Sequence, residues 1–194
     1  MVIRVDEFIN IIEKYDLEMD LKIHMKKASV YAELLAKLMD IGTEQVMVIK
    51  KAALLHDIGK KLIDDNILYK PGKLTTEEFE QMKKHSELGL KLLKKEDKNK
   101  VVINSMLYHH EKWNGKGYPL GLYKENIPLE ARIISIVDCY EALTSKRVYK
   151  NKISHEEALD IIKSESGTSF DPNIVSIFKK FEKEFKILLE NPLI

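Results

Sequence analysis

The sequence predicts an all-α protein, a single-domain helical bundle, and three observations support this prediction. Apolar residues recur at steps of three and four along most of the 194-residue chain, which is the spacing of one face of an α-helix. No segment shows the alternation of β-branched residues that is typical of a strand. Glycine and proline concentrate in a few short stretches between the periodic segments, where they indicate turns and loops.

Two helices are predicted in the first third of the chain. From His24, apolar residues follow at steps of four, three, four and three as far as Leu38, and Gly42 ends this helix. Thr43 is interpreted as the cap of the next helix, which runs towards Gly59.

The remaining helices are separated by recognisable loops. Thr75 and Glu78 form a capping-box pattern that opens a helix directly after the Pro71-Gly72 turn. The stretch Trp113–Pro128 is rich in glycine and proline and is predicted to be a structured loop. Further helices are expected at 101–108, about 129–144, 154–163 and 172–189.

Composition limits the classes of partner. Hydrophobic residues make up 44% of the chain and charged residues 32%, as in ordinary soluble globular proteins. The net charge is +1, so no global charge favours a nucleic-acid polymer or a membrane surface as partner. The single cysteine, Cys139, rules out an internal disulfide and fits a reducing compartment. We therefore expect a cytoplasmic protein.

The domain organisation is predicted to be simple. No repeat, low-complexity tract or linker is visible in the sequence. We expect residues 1–194 to form one domain, with a short N-terminal helical extension at 1–19 and a core at 20–190.

Metal-binding residue types occur at the end of the second predicted helix, where His56 and Asp57 are adjacent. Burying an imidazole beside a carboxylate is costly unless both are neutralised. A divalent metal ion neutralises both, because imidazole and carboxylate are good ligands for first-row metals. The alternative is a histidine at a helix C-terminus beside a solvated aspartate, and this pair alone does not decide between the two interpretations.

A second pair, His109 and His110, stands directly before the glycine-rich loop. For an isolated His-His sequence, a solvated pair is the simpler interpretation. Here the pair follows an apolar helix and emerges from its core face, which favours metal binding.

Four further candidates are less specific. Asp20 lies one turn before His24, so both could face one ion. The alternative for Asp20 is an acidic residue that stabilises a helix N-terminus. The alternative for His24 is a core histidine whose hydrogen bonds are satisfied within the protein. Asp138 lies within an apolar helix and needs a partner there. His85 follows two lysines, which favours a surface role. His155, at a helix start, is expected to be solvated and is not a candidate.

Two motifs of the sequence resemble the signatures of a known protein family. The string His56-Asp57-Ile58-Gly59-Lys60 resembles the signature of the HD superfamily of metal-dependent phosphohydrolases. The string from His109 to Pro119, with Gly117-Tyr118-Pro119 at its end, resembles the HD-GYP subfamily. Supporting matches lie at 68–75, 127–133, 142–145 and 167–172, so the resemblance covers nearly the whole chain from about Leu21.

The resemblance implies a bundle with a metal centre in its core, holding two or three divalent transition-metal ions, iron or manganese. It also implies hydrolysis of cyclic di-GMP to linear pGpG, with GMP as a further product. By position, the implied metal ligands are His24, His56, Asp57, His85, His109, His110 and Asp138. Asp20, where some members have glutamate, is the candidate ligand of a third ion.

The same carry-over places the basic substrate contacts at Lys60, Arg147 and Lys150, and the alternative for each is an ordinary solvated basic side chain. Since a carboxylate can bridge two ions, we assign that role to Asp57. Lys60, one turn later, is expected to offset charge on the phosphate, and these two are the expected catalytic residues. Tyr118 is a candidate for stacking on guanine, with packing of the loop against the bundle as the alternative, and the same choice applies to Trp113.

The chain departs from the usual family pattern at Asn114 and Glu141, where members usually have aspartate; both changes could alter loop shape or substrate preference. Two other functions stay open: another nucleotide phosphohydrolase of the HD superfamily, or a non-catalytic module that binds the dinucleotide or docks on a partner. The expected partners are a cyclic dinucleotide and a diguanylate cyclase or sensor protein. The residues before His24 are expected to be too few for a fused sensor domain. Cyclic di-GMP and mixed cyclic GMP-AMP are not separated by the sequence.

Overall fold

The computed structural model describes residues 12–93, 99–145 and 152–191, and within these ranges the protein is helical without a β-strand. Isolated bridges join Asn114 to Tyr123 and Ser166 to Phe170. The all-α prediction is therefore confirmed. None of the helices in these ranges combines the length and the apolar character that crossing a membrane requires. The extent of one domain over 1–194 stays a prediction.

The order of elements follows the predicted pattern, with differences at the ends. The sequence placed two helix ends at Gly42 and near Gly59, whereas these helices end a few residues earlier, at Leu38 and Leu55. The last predicted helix is divided in two at Phe181. In chain order the elements are α1 (Met19–Leu38), α2 (Thr43–Leu55), a 3₁₀-helix (Ile58–Leu62), α3 (Asp65–Leu68), α4 (Thr76–Lys83), α5 (His85–Leu92), α6 (Lys100–Tyr108), a short 3₁₀-helix (Lys124–Asn126), α7 (Leu129–Thr144), α8 (His155–Ser164), α9 (Pro172–Lys180) and α10 (Glu182–Glu190).

Helix starts show how local sequence sets the boundaries. The predicted capping box of α4 is present: the Thr75 hydroxyl accepts the Glu78 N–H, and the Glu78 carboxylate accepts the Thr75 N–H. At α2 the predicted cap, Thr43, is already the first helical residue. Gly42 occupies the N-cap there, so no side chain caps this helix.

The core forms where α1 packs against α2 and α7, and where α2 packs against α6. The apolar stripe predicted on α1 is buried, including Ala28, Tyr31 and Leu35. Because His24 heads this stripe on the same helical face, its imidazole is held at the edge of the core and is only 6% exposed.

Aromatic rings join the C-terminal helices to this core. The Tyr140 ring of α7 contacts Tyr31 and Phe178 edge to face, with ring centroids 5.1 and 5.3 Å apart. The ring centroids of Phe178 and Phe185 are 4.2 Å apart. His155 also packs here, 6% exposed, with its Nδ1 2.9 Å from the Tyr140 hydroxyl. The prediction of a solvated His155 is wrong, because α8 packs against α7 and brings the His155 imidazole against Tyr140.

Gly59 permits the close approach between the first 3₁₀-helix and α5. A Cβ atom at Gly59 would lie 1.9 Å from the His85 carbonyl oxygen and 2.5 Å from the Gly89 nitrogen. Only a glycine fits where two backbones meet in this way. This contact brings the segment that carries Asp57 against the helix that begins with His85.

We expect Gly59→Ala to destabilise the protein by about 1–3 kcal/mol, the usual range for overpacking a filled site. The added methyl group meets backbone atoms of α5 that cannot move independently. Thermal unfolding of the variant should show a lower midpoint than the wild type. Gly42→Ser is the matched control, since a Cβ at Gly42 meets nothing within 4 Å and the hydroxyl supplies the missing cap. An unchanged midpoint for Gly59→Ala would contradict the packing argument.

Candidate metal centre

Side chains from separate segments converge at the ends of several helices. His24 projects from α1 and Asp138 from α7, while His56 and Asp57 directly follow α2. His85 is the first residue of α5. The two remaining histidines, His109 and His110, follow the end of α6.

These side chains form two clusters in which the ligand atoms all lie within 4.8 Å of one another. The acidic half-site consists of His24, His56, Asp57 and Asp138. The histidine half-site consists of Asp57, His85, His109 and His110. Asp57 is the member common to both.

The two carboxylate oxygens of Asp57 face different half-sites. Oδ2 lies 3.4 Å from His24 Nε2 and 3.3 Å from His56 Nε2. Oδ1 lies 3.2 Å from His85 Nε2 and 3.8 Å from His109 Nε2. Asp138 closes the acidic half-site, with Oδ1 3.1 Å from His24 Nε2. One buried carboxylate thus links the two sets of imidazoles.

Backbone carbonyls orient three of the imidazole rings. The Nδ1 atoms of His56, His85 and His109 lie 2.7, 2.7 and 2.8 Å from the carbonyl oxygens of Ala53, Met82 and Ser105. A carbonyl only accepts hydrogen bonds, so each Nδ1 donates. In the neutral ring this leaves Nε2 as the lone-pair nitrogen, directed into the half-sites.

The donor set fits a bound cation. His85 Nε2 and His109 Nε2 lie 3.4 Å apart, and two lone pairs at this distance repel each other unless a cation or a proton lies between them. His56 Nε2 and Asp57 Oδ1 are buried and have no hydrogen-bond partner within the described part of the chain. Buried polar atoms of this kind are costly unless they bind something. Imidazole and carboxylate suit first-row divalent metals.

The pKa values of the buried imidazoles differ between the half-sites. Burial disfavours the charged form of His24 and His56, but the carboxylates of Asp57 and Asp138 outweigh it. The pKa of His24 rises to about 10 and that of His56 to about 9. Burial and the neighbouring His85 lower the pKa of His110 to about 3. Without an ion, the acidic half-site therefore holds protons, whereas burial and like charges keep the rings of His109 and His110 neutral.

A cavity of about 570 Å³ opens onto the centre. His24, His85 and His110 form part of its wall, together with Lys60 and Tyr118. The Tyr118 ring stacks on His110 with centroids 4.8 Å apart and an interplanar angle of 29°. A ligand in this cavity can thus reach both half-sites.

Comparison with known proteins identifies the family. Over residues 9–174 the sequence matches the family described as HD domain. The chain belongs to the HD-domain family. A "Probable cyclic di-GMP phosphodiesterase" of Vibrio cholerae is 48% identical over 70% of this chain and 32% of its own length. A "Cyclic di-GMP phosphodiesterase" of Thermotoga maritima is 39% identical over 92% of this chain and 49% of its own.

A third relative carries a different name. The "3'3'-cGAMP-specific phosphodiesterase 2" of Vibrio cholerae is 36% identical over 84% of this chain and 31% of its own length. The chain thus spans about a third to a half of the length of these curated relatives. The HD-GYP resemblance inferred from the motifs is confirmed.

Solved structures agree on the HD-domain fold. Bd1817, described as an HDG"Y"P protein from Bdellovibrio bacteriovorus, superposes with a TM-score of 0.70. It is 20% identical, over 91% of this chain and 60% of its own. At this identity the likeness shows the fold alone.

The structure brings seven of the eight predicted metal ligands together and leaves Asp20 outside both half-sites. His24, His56, Asp57, His85, His109, His110 and Asp138 all lie in the two half-sites. His85 is 1% exposed, so the surface role suggested by its neighbouring lysines is wrong. Asp20 is exposed, lines the cavity and belongs to neither half-site. Its role with a third ion stays a prediction.

Two of the predicted substrate contacts, Lys60 and Tyr118, lie in the wall of the cavity. Lys60 forms an ion pair with Asp57 Oδ2 and also lines the cavity. Tyr118 lines the cavity as well. Arg147 and Lys150 lie outside the described residues, so their roles stay predictions. Trp113 is 8% exposed, which supports its alternative role of packing the loop against the bundle.

Two buried glutamates have roles that sequence reasoning did not assign. The Glu111 carboxylate accepts the N–H groups of Leu120 and Leu122 at 2.7 and 3.0 Å, which folds the glycine-rich loop back on itself. Glu141, noted above only as a departure, is 1% exposed and forms a hydrogen bond with His24 Nδ1. It lies one turn after Asp138 in α7, a spacing that could have indicated a shared face.

We expect metal binding to the metal-free protein to release protons at pH 7. The pKa values of His24 and His56, about 10 and 9, exceed 7, so both rings are protonated there. A metal ligand must be a neutral imidazole, and the apparent affinity should therefore rise between pH 7 and 9. Titration calorimetry in buffers of different ionisation enthalpy measures the released protons. An observed enthalpy that is independent of the buffer would contradict the prediction.

We expect Glu141→Ala to lower metal affinity by about 10–100-fold, the usual effect of losing a carboxylate that orients a ligating imidazole. Glu141→Gln keeps an acceptor oxygen and should lose less. Glu130→Ala is the matched control, because Glu130 is a buried carboxylate on the same helix that accepts from Asn104 Nδ2. Competition with a chelator measures affinity in all three variants. Equal affinities for Glu141→Ala and Glu130→Ala would show that Glu141 does not position His24.

Proposed function

We propose that the chain is the catalytic domain of a metal-dependent phosphodiesterase that hydrolyses cyclic di-GMP to linear pGpG. In this proposal the acidic and histidine half-sites would each hold one divalent ion, and Asp57 would be the ligand common to both. The observation that carries the proposal is the divergence of the two Asp57 oxygens towards separate sets of imidazoles.

The chemistry of a cyclic dinucleotide matches such a centre. A phosphodiester is anionic and resists attack by water. Divalent ions held here would supply an activated water and neutralise charge on the phosphate. The imidazoles and carboxylates of the two half-sites would hold these ions next to the cavity. The opening of the ring then breaks one phosphodiester bond and leaves a linear dinucleotide.

Residues beside the centre would bind the rest of the phosphate. Lys60 lies in the cavity wall and pairs with Asp57, so its ammonium group stands where a phosphate oxygen would arrive. Tyr118, stacked on His110, offers a flat face and a hydroxyl at the same place. Arg147 and Lys150 complete the proposed set of substrate contacts.

The finer features of the proposal concern the nucleobases of the substrate, the metal, the partner and the compartment. Two relatives reported above are named for cyclic di-GMP and one for 3'3'-cGAMP, and we take cyclic di-GMP as the first substrate and cyclic GMP-AMP as the second. Iron or manganese is the proposed metal, because both accept mixed imidazole and carboxylate ligands. A third ion would use Asp20. A diguanylate cyclase or sensor protein is the proposed partner, and the proposed compartment is the cytoplasm.

The test is an activity panel on anaerobically purified, metal-reconstituted protein, with products separated by chromatography. We expect at least two ions per chain and conversion of cyclic di-GMP to pGpG. Asp57→Ala should lose metal and reduce turnover by several orders of magnitude, more than any single histidine variant, since one carboxylate serves both half-sites.

Helical circular dichroism checks that Asp57→Ala remains folded. Hydrolysis of cyclic GMP-AMP alone would assign the second substrate. Binding of a cyclic dinucleotide without turnover in the fully loaded protein would favour the non-catalytic module instead. One ion or fewer per chain would end the binuclear proposal.

A further inference from the structure

Helix α4 has an apolar face without a core to bury it. Phe79 and Met82 stand three residues apart on this helix, yet none of its residues is buried. A helix on a globular protein normally buries such a face. Both side chains instead line the cavity that opens onto the metal centre, and Phe79 is 44% exposed.

The end of α3 repeats this pattern beside it. Helix α3 has no buried residue either, and its last residue, Leu68, and the following Tyr69 line the same cavity. Tyr69 and Ile23 are each 38% exposed. We refer to these five side chains as the apolar rim: Ile23, Leu68, Tyr69, Phe79 and Met82. Apolar side chains concentrated around one cavity indicate a ligand-binding surface.

Aromatic contacts connect the apolar rim to the metal centre. The Phe79 ring meets Tyr118 edge to face, with centroids 6.3 Å apart and an angle of 85°. Tyr118 in turn stacks on His110 of the histidine half-site. A ligand whose phosphate lies at the centre can therefore place a flat group against Phe79.

Cations stand beside these rings. Lys83 Nζ lies 5.0 Å from the Phe79 centroid and 5.5 Å from that of Tyr118. Lys27 and Lys60 also line the cavity. Aromatic faces interspersed with basic groups match a ligand that has flat bases on an anionic backbone.

We propose that Phe79 and Tyr69 are the surfaces on which the two nucleobases of the substrate stack. This inference rests on the proposed function, since it assigns the outer part of the same cavity. Because every purine has a π-face, stacking does not distinguish guanine from adenine. Phe79 would thus contribute to the affinity for any purine cyclic dinucleotide, and selection between bases would lie elsewhere.

The experiment compares two diesters on the metal-loaded enzyme: cyclic di-GMP and methyl p-nitrophenyl phosphate, which has no nucleobase. We expect Phe79→Ala to raise KM for cyclic di-GMP about five- to 150-fold, the range for one base stacked on a side chain. The ratio of kcat/KM for cyclic di-GMP to that for the small diester should fall accordingly. Tyr69→Ala should act in the same direction, and Phe79→Trp should restore most of the ratio.

Tyr123→Ala is the matched control, because this ring is 50% exposed and lies under Lys124 but does not line the cavity. It should leave the ratio unchanged. The stacking role is wrong if Phe79→Ala lowers kcat/KM for both diesters by the same factor. It is also wrong if the variant leaves KM for cyclic di-GMP at the wild-type value. If wild-type protein hydrolyses the small diester but no cyclic dinucleotide, the proposed function fails instead, and the two failures are told apart.

Discussion

The buried carboxylate of Asp57 is the group around which the rest of the site is arranged. An aspartate that is 1% exposed is expensive to ionise in a protein interior. The pKa of Asp57 is nevertheless held well below the usual value, because the effect of burial is outweighed by the charge of Lys60 and by the neighbouring imidazoles of His56 and His24. The stability of this charge therefore depends on residues from α1, α2 and the first 3₁₀-helix, so the site forms only when these elements pack together.

Helix ends give this arrangement its geometry. The carbonyls of Ala53, Met82 and Ser105 lie in the last turns of α2, α4 and α6. They accept from the Nδ1 atoms of the three histidines that follow. These hydrogen bonds direct Nε2 of each ring into the half-sites. In α1, where His24 is inside a helix, the Glu141 carboxylate takes the place of such a carbonyl.

The cavity changes character along its length, and this change links the fold to the proposed substrate. Titratable groups lie at its inner end, whereas α3 and α4 contribute apolar side chains that no core covers. Gly59 allows the 3₁₀-helix to approach α5 closely, and Glu111 folds the glycine-rich loop so that Tyr118 reaches His110. A candidate metal centre bordered by aromatic rings fits the proposed nucleotide substrate better than a simple phosphate ester.

Local features of this protein were determined by its sequence alone. Helical periodicity, the capping box at Thr75 and the pairs His56-Asp57 and His109-His110 depend on residues close together in the chain, and the structure shows each where it was predicted. Burial is different, because it depends on segments far apart in the sequence. The lysines before His85 suggested a surface, and the helix start at His155 suggested solvent, yet packing against α6 and α7 buries both. For the same reason, only the tertiary structure could pair Glu141 with His24, more than a hundred residues away in the chain.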